Sequence, residues 1–197
     1  MKLLDSIGIE VVLASASPRR KEILSLLFRD FSVSPSSISE EGLFLAPVEL
    51  TLELAEQKAR QVFNDNPESL VIGADTVVVS DGKILGKPGS HDHAVEMLQT
   101  LSGRTHRVIT GVACICKSFS FSFHESTEVT FREMSVAEIE WYVQSDEPFD
   151  KAGAYAIQGD ASLFIERING NYLNVVGFPL SSFYKRLKEN LGSVSGI

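Results

Sequence analysis

The chain has 197 residues, of which 44% are hydrophobic, and its formal net charge is −8 at pH 7. A chain of this length and apolar content can bury the core of one domain, so we predict a single domain over residues 1–197. The acidic balance excludes a protein that coats nucleic acid, because such a protein needs a broad basic surface. The apolar runs are too short to cross a bilayer and the first residues lack the order of a signal peptide, so we expect a cytoplasmic protein without membrane attachment.

A strand followed by a helix is predicted near the start of the chain. The apolar run Val11–Leu13 is typical of a buried strand, Ser17 can cap a helix, and Pro18 suits its first position. The next three residues are all cations, namely Arg19, Arg20 and Lys21. Cations oppose the positive end of the helix dipole unless an anion compensates them, so this turn is either a solvated basic surface or a phosphate site. Arg20 lies one turn before apolar residues of the same helix, so we expect it to point toward the interior.

A second helix is predicted from about Glu49 to Phe63, and one lysine interrupts its apolar face. That face consists of Leu54, Ala55, Ala59 and Val62. Lys58 lies on the same face, where a cation is unexpected. A side chain that snorkels past the apolar surface to water is the simpler explanation, and a role in a site is the alternative.

An aspartate interrupts the strand region that follows. Two short strands, Leu70–Ile72 and Val77–Val79, are predicted on either side of the segment Gly73-Ala74-Asp75-Thr76. Aspartate is depleted in strands because its carboxylate is desolvated there and competes for the hydrogen bonds of the ladder. Asp75 is therefore expected to have a partner, unless it simply occupies a turn between the two strands.

The remaining elements continue the alternation of helices and strands and predict a mixed α/β fold. They are a hairpin turn at Asp81-Gly82, a strand at Lys83–Leu85, a helix capped by Ser90, long antiparallel strands at Arg107–Cys116 and Phe119–Arg132, a helix opened by the Ser135 and Glu138 capping box, a strand at Leu163–Ile168 and a final helix containing Phe183. Lys87 follows Gly86 and precedes Pro88, where a fixed bend presents its amine. Cys114 and Cys116 share a strand face and are predicted to be buried thiols rather than a metal site.

Cations and carboxylates together form a set that suits triphosphate chemistry. The cations are Arg19, Arg20, Lys58 and Lys87, and the candidate bases or metal ligands are Glu40, Glu41, Asp75 and Asp150. Cations hold phosphate oxygens, while carboxylates hold a divalent ion and orient water. The sequence contains no Walker loop, no G-x-G-x-x-G fingerprint and no G-x-S-x-G elbow, which disfavours P-loop enzymes, dinucleotide oxidoreductases and serine hydrolases.

The chain resembles the Maf-like nucleoside triphosphate pyrophosphatases along nearly its whole length. The matching segments are Leu13–Arg20, Glu40-Glu41, Ala55–Ala59, Gly73–Val78, Leu85–Pro88, Asp150–Gly159 and Val176–Pro179. This resemblance implies a two-lobed mixed sheet with flanking helices around a central cleft, as in inosine triphosphatase-like folds. It also implies hydrolysis of a nucleoside triphosphate to the monophosphate and pyrophosphate with a divalent cation, for which Mg²⁺ is expected and Mn²⁺ or Co²⁺ are alternatives.

The resemblance also implies a role for each matching residue. Asp75 corresponds to the proton acceptor, Lys58 and Lys87 to further catalytic residues, Ser15, Arg19 and Arg20 to the phosphate site, and Glu41 with Asp75 to the metal site. The combination of Arg20, Thr76 and Gln158 resembles the subgroup that acts on dTTP and UTP. A glutamine amide both donates and accepts hydrogen bonds, so Gln158 can pair with the imide edge of uracil or thymine.

Two other functions stay open at this stage. The family is also associated with arrest of septum formation and cell division, so a regulatory or interaction protein is one alternative. A pyrophosphatase that removes non-standard purine nucleotides is the other. The expected partner is the nucleoside triphosphate, with no nucleic acid and no membrane, and a homodimer is one candidate assembly.

Overall fold

The computed structural model describes residues 8–40, 42–145 and 147–195, with side chains described up to residue 192. Within these residues the strands are Val11–Leu13 (β1), Ser32–Val33 (β2), Leu70–Ser80 (β3), Lys83–Leu85 (β4), Thr105–Ile115 (β5), Ser120–Phe131 (β6) and Ile165–Asn169 (β7). The α-helices are Pro18–Ser25 (α1), Pro47–Asp65 (α2), His91–Leu101 (α3), Val136–Val143 (α4), Tyr172–Val176 (α5) and Leu180–Ser195 (α6). Short 3₁₀ helices occupy Glu147–Asp150, Ala152–Ala154 and Asp160–Phe164.

The strands form one mixed sheet in the order β2-β1-β3-β5-β6-β7, with β4 paired to β3. β1 is parallel to both β2 and β3, whereas β4 is antiparallel to β3 and β7 is antiparallel to β6. β5 and β6 form the predicted antiparallel pair, because Cys116 N–H donates to Phe119 O (3.0 Å) at the turn and Phe131 N–H donates to Arg104 O (3.0 Å) at the far end. The prediction of a mixed α/β fold is therefore confirmed.

The chain divides into two compact units, and it passes from one to the other within β3, β5 and β6 and again after Val176. The first unit comprises Met1–Asp75, Thr110–Glu125 and Gly177–Ile197. The second unit comprises Thr76–Ile109 and Ser126–Val176. No helix among the described residues is both long and apolar enough to cross a membrane.

The core of the first unit places α2 directly against β3. The predicted face of α2 is buried, and it packs on small and β-branched residues of the sheet such as Val12 and Val71. A Cβ atom at Gly73 would lie 2.3 Å from Ala55 O and 2.8 Å from Ala59 N, so only glycine permits this approach of the two backbones. The close contact fixes the distance between the side chains of α2 and those of β3.

This contact also explains why the predicted break in β3 is wrong. β3 runs without interruption from Leu70 to Ser80, and Asp75 lies inside the strand rather than in a turn. Glycine is typical of turns, but Gly73 lies within a strand and allows the backbone of α2 to approach β3. α2 is likewise longer than predicted, since Pro47 occupies its first turn and extends the start.

The second unit has a larger apolar core built from α3, α4 and the strands on which they pack. Its largest fully buried side chains are Tyr142, Phe131 and Phe164. The predicted capping box of α4 is present, because Ser135 Oγ accepts from Glu138 N–H (3.3 Å) and Glu138 Oε2 accepts from Ser135 N–H (2.8 Å). The start of β7 differs from the prediction, because the preceding residues form a 3₁₀ helix.

The two cysteines, on β5 and just beyond its end, are free and buried, as predicted. Burial raises the pKa of the Cys114 thiol, and the neighbouring Cys116 adds to the effect. The Cys114 side chain therefore acts as a small apolar group at neutral pH.

Candidate active site

The turn between β1 and α1 places a serine cap beside the first cations of the helix. Ser17 Oγ accepts a hydrogen bond from Arg20 N–H (3.4 Å), and Pro18 is the first helical residue. The first turn contains no acidic side chain. α1 thus begins where the sequence predicts, with Ser17 as its cap. No acidic side chain in its first turn offsets the positive end of the helix dipole.

The Arg20 side chain turns inward and is held by two uncharged oxygens. Its Nε donates to Gly177 O (3.1 Å), and its Nη1 donates to Ser15 Oγ (3.1 Å). Ser15 is buried, and its Oγ also accepts from Ser17 N–H (3.3 Å). These two acceptors orient the guanidinium, whose planar fork suits an anionic ligand such as a phosphate group. The predicted inward direction of Arg20 is confirmed.

Lys58 joins two carboxylates in the same unit. Its Nζ lies 2.7 Å from Asp75 Oδ1 and 2.6 Å from Glu40 Oε1. The side chains of Lys58 and Asp75 are only 11% and 10% exposed, whereas that of Glu40 is 55% exposed. Lys58 therefore does not snorkel to water. It neutralises a buried carboxylate on β3 and orients its oxygens.

The Arg20 and Lys58 groups belong to one electrostatic site. Burial lowers the pKa of Arg20, the charges of Asp75 and Glu40 act in the opposite direction, and the charge of Arg19 lowers it further. The carboxylates that bind Lys58 thus also act on Arg20. The structure brings together Ser15, Arg19, Arg20, Lys58, Asp75 and, as an outer carboxylate, Glu40.

The donor set at this site fits a divalent cation that binds together with a nucleotide. Mg²⁺ is usually held in such sites by one or two carboxylates and by substrate phosphates. Asp75 and Glu40 supply two carboxylates that meet at one point, the ammonium of Lys58. Glu41, the predicted second ligand, lies outside the described residues. Among the side chains that the structure describes, no group of three His, Cys, Asp or Glu residues forms a complete metal site.

The other predicted site residues belong to the second unit. Lys87 and Gln158 are exposed, and Thr76 on β3 is partly buried. The segments that carry Lys87 and Gln158 are joined by a hydrogen bond from Gly153 N–H to Gly86 O (3.0 Å). Asp150, a candidate metal ligand or base, is 72% exposed and forms an ion pair with Lys151.

Two contacts were not expected from the sequence. The carbonyl of Gly177 orients Arg20 although it is 157 residues away along the chain. A hydrogen-bonded pair, Tyr142 and Glu147, lies beside the segment of Gln158 in the second unit. Every residue type has a main-chain carbonyl, so residue type does not reveal such an acceptor. Gly177 does lie within Val176–Pro179, one of the segments that resemble the family.

Comparison with known proteins agrees with the family resemblance of the sequence. The family model described as Maf-like protein matches residues 10–190. A dTTP/UTP pyrophosphatase of Bacillus cereus is 48% identical over 181 residues, which cover 91% of this chain and 95% of that protein. A dTTP/UTP pyrophosphatase of Bacillus anthracis has the same identity and coverage.

A solved structure, that of the Staphylococcus aureus Ham1 protein, was also found. It has 16% identity and a TM-score of 0.44, and the match covers 62% of this chain and 71% of that one.

Proposed function

Because this chain belongs to the Maf-like family, we propose that it hydrolyses dTTP and UTP to the nucleoside monophosphate and pyrophosphate. The relatives that are 48% identical to it over 181 residues are named dTTP/UTP pyrophosphatases. The observation that carries the proposal is the buried Lys58 ammonium, which holds Asp75 within one electrostatic site with Arg20. That arrangement supplies an oriented base and cations for phosphate.

Each residue of the first unit has a distinct task in the proposed reaction. Asp75 accepts the proton of the water that attacks the triphosphate, and Lys58 orients the Asp75 carboxylate through its hydrogen bond to Oδ1. Arg20 and Arg19 bind the phosphate oxygens, and Ser15 orients the Arg20 guanidinium. The bond between the α and β phosphates breaks, and pyrophosphate leaves.

A divalent cation is part of the proposal, with Mg²⁺ expected and Mn²⁺ or Co²⁺ as alternatives. Asp75 and Glu41 are the proposed ligands, and the oxygens of Glu40 have the chemistry to assist them. When bound, such an ion neutralises charge on the phosphate oxygens. The remaining tasks, binding, orientation and proton transfer, fall to side chains of this chain.

Residues of the second unit complete the proposal. Lys87 is assigned a catalytic role, and Thr76 and Gln158 are assigned with Arg20 to substrate selection. The amide of Gln158 can accept from the ring N–H and donate to a carbonyl of uracil or thymine. Cytosine presents a different pattern and leaves one group unpaired. A cytoplasmic location, where the nucleotide pool lies, belongs to the same proposal.

The test is an assay of the purified protein with dTTP, UTP, CTP, GTP and ITP, in which pyrophosphate and orthophosphate are measured separately. We expect pyrophosphate as the first product, dTTP and UTP as the best substrates, and loss of activity with a chelator that Mg²⁺ restores. A preference for ITP would instead support the pyrophosphatase for non-standard purines. No hydrolysis of any nucleotide would support the regulatory alternative and would overturn the proposal.

A further inference from the structure

The segment that carries Gln158 is held by a hydrogen-bonded anchor formed by Tyr142 and Glu147. Tyr142 Oη donates to Glu147 Oε1 (2.8 Å), and Asp160 N–H donates to Glu147 Oε2 (3.1 Å). Ala156 N–H donates in turn to Tyr142 Oη (3.4 Å). The anchor therefore holds the main chain two residues before Gln158 and two residues after it.

Packing around the anchor leaves little freedom to either partner. Tyr142 is 1% exposed, and its ring packs edge-to-face on Phe164, with centroids 5.6 Å apart. Burial and the Glu147 carboxylate raise the pKa of the Tyr142 hydroxyl, so it remains a proton donor. A Cβ atom at Gly159 would lie 1.9 Å from Glu147 Oε2, so the carboxylate occupies the space that a side chain there would need.

Two further contacts fix the start of the same segment. The hydroxyl of Tyr155 and Nε2 of His106 form a buried hydrogen bond of 2.7 Å, and Gly153 N–H donates to Gly86 O (3.0 Å). Gln158 is exposed although its neighbour Ile157 is buried. The main chain is thus fixed on both sides of one exposed amide, which is the arrangement expected of a side chain that reads a ligand.

We propose that Tyr142 and Glu147 are positioning residues for base selection, because they hold the main chain on both sides of Gln158. This inference rests on the proposed function, in which Gln158 reads the pyrimidine imide. Hydrogen bonds distinguish two bases only when the reading group is held in place, since a mobile amide can adapt to cytosine. Loss of the anchor should therefore reduce selectivity more than it reduces turnover of the best substrate.

The test compares kcat/KM for UTP and CTP in the parent, in Tyr142→Phe, in Gln158→Ala and in the double variant. Tyr142→Phe keeps the ring packed but removes the hydroxyl that bonds Glu147 and Ala156. We expect the UTP-to-CTP ratio to fall about 3- to 10-fold, the range that corresponds to one net hydrogen bond. In the Gln158→Ala background, the same substitution should leave the ratio unchanged. Tyr172→Phe, at a half-exposed tyrosine elsewhere in the second unit, is the matched control.

Three further variants keep the test valid if Tyr142→Phe folds poorly. Glu147→Gln retains an oxygen for Asp160 N–H and should keep most of the selectivity, whereas Glu147→Ala should lose it. Gly159→Ala displaces the Glu147 carboxylate and should behave like Glu147→Ala.

The outcomes separate this inference from the proposed function. A parent that selects UTP over CTP, combined with variants that slow both substrates equally, would overturn the positioning role alone. The same conclusion would follow if Tyr142→Phe changed the ratio equally with and without Gln158. A parent that releases no pyrophosphate from UTP would overturn both.

Discussion

The ammonium of Lys58 lies 2.7 Å from Oδ1 of Asp75, and Lys58 is the one charged residue among the buried residues of α2. Gly73 makes this distance achievable, because it lets the backbone of β3 approach that of α2. A buried carboxylate and a buried ammonium are each costly alone, and together they offset much of that cost. The pair therefore links the stability of the first unit to its proposed chemistry.

Asp75→Asn should abolish most turnover while the protein remains folded. The amide keeps the shape of the side chain but cannot accept a proton from water, and loss of a general base typically costs about 10²- to 10⁴-fold. The measurement is kcat for UTP, with circular dichroism as the check on folding. The matched control is Asp81→Asn, which alters an exposed carboxylate paired with Arg104 (2.9 Å). Turnover within a few-fold of the parent would make Asp75 purely structural.

Lys58→Met should lower both stability and activity. The substitution leaves Asp75 buried without the ammonium that holds it, and an unsatisfied buried polar group costs about 1–3 kcal/mol. Chemical denaturation measures the free energy of unfolding, and Lys117→Met provides the control. Lys117 and Glu68 form an exposed pair at 2.8 Å, for which we expect a change below about 1 kcal/mol. Full turnover in a folded Lys58→Met protein would exclude Lys58 from the site.

Arg20→Lys should weaken substrate use although the charge is retained. A lysine lacks the rigid planar fork with which two separate nitrogens of Arg20 donate to Gly177 O and to Ser15 Oγ, so its charge would be poorly oriented. We expect kcat/KM for UTP to fall about 10-fold or more, since hydrogen bonds to charged groups contribute about 1.5–3 kcal/mol. Arg29→Lys, at an exposed arginine beside Asp30, should stay within about twofold. An unchanged kcat/KM in Arg20→Lys would show that orientation by Gly177 and Ser15 has no effect.

Gln158→Ala should reduce the preference for dTTP and UTP over CTP. A polar group that the bound base buries and leaves unpaired costs about 1–3 kcal/mol, which corresponds to about 5- to 150-fold in relative kcat/KM. The preference should shrink more than kcat/KM for the best substrate falls, because the phosphate site is untouched. A variant that keeps the full pyrimidine preference would remove Gln158 from substrate selection.

The buried His106 should make stability depend on pH. Desolvation lowers its pKa from 6.5 to about 4 in the folded protein. Between these pH values the unfolded chain binds a proton that the folded chain does not, so this contribution favours unfolding as pH falls from about 6.5 to about 4. The full effect is about 3 kcal/mol, and it vanishes above pH 6.5.

Thermal or chemical unfolding across that pH range provides the measurement. The double variant His106→Phe/Tyr155→Phe removes the titrating ring together with the hydroxyl that would lose its partner. Its stability should vary less with pH than that of the parent between pH 6.5 and 4. An identical slope in both proteins would contradict the assignment to His106.

Local features were predictable because their physics is local. The serine cap of α1, the capping box of α4 and the hairpin turn with positive φ at Asp81 and Gly82 each depend on residues within one turn of chain. The apolar face of α2 was also readable, because helical spacing alone puts its members on one side. Lys58 was identifiable as a charged residue on that apolar helix face, and Asp75 as a charged residue within an apolar strand region.

The sequence by itself thus determined most of the helices and strands, the charged residues that do not fit them and, through the family resemblance, the activity to test. Tertiary structure decided the partners: Glu40 and Asp75 for Lys58, and Gly177 for Arg20. It also decided that β3 continues through Gly73, a residue that reads locally as a turn. These outcomes depend on which backbones approach each other across long stretches of chain, and residue type and spacing carry little information about such approaches.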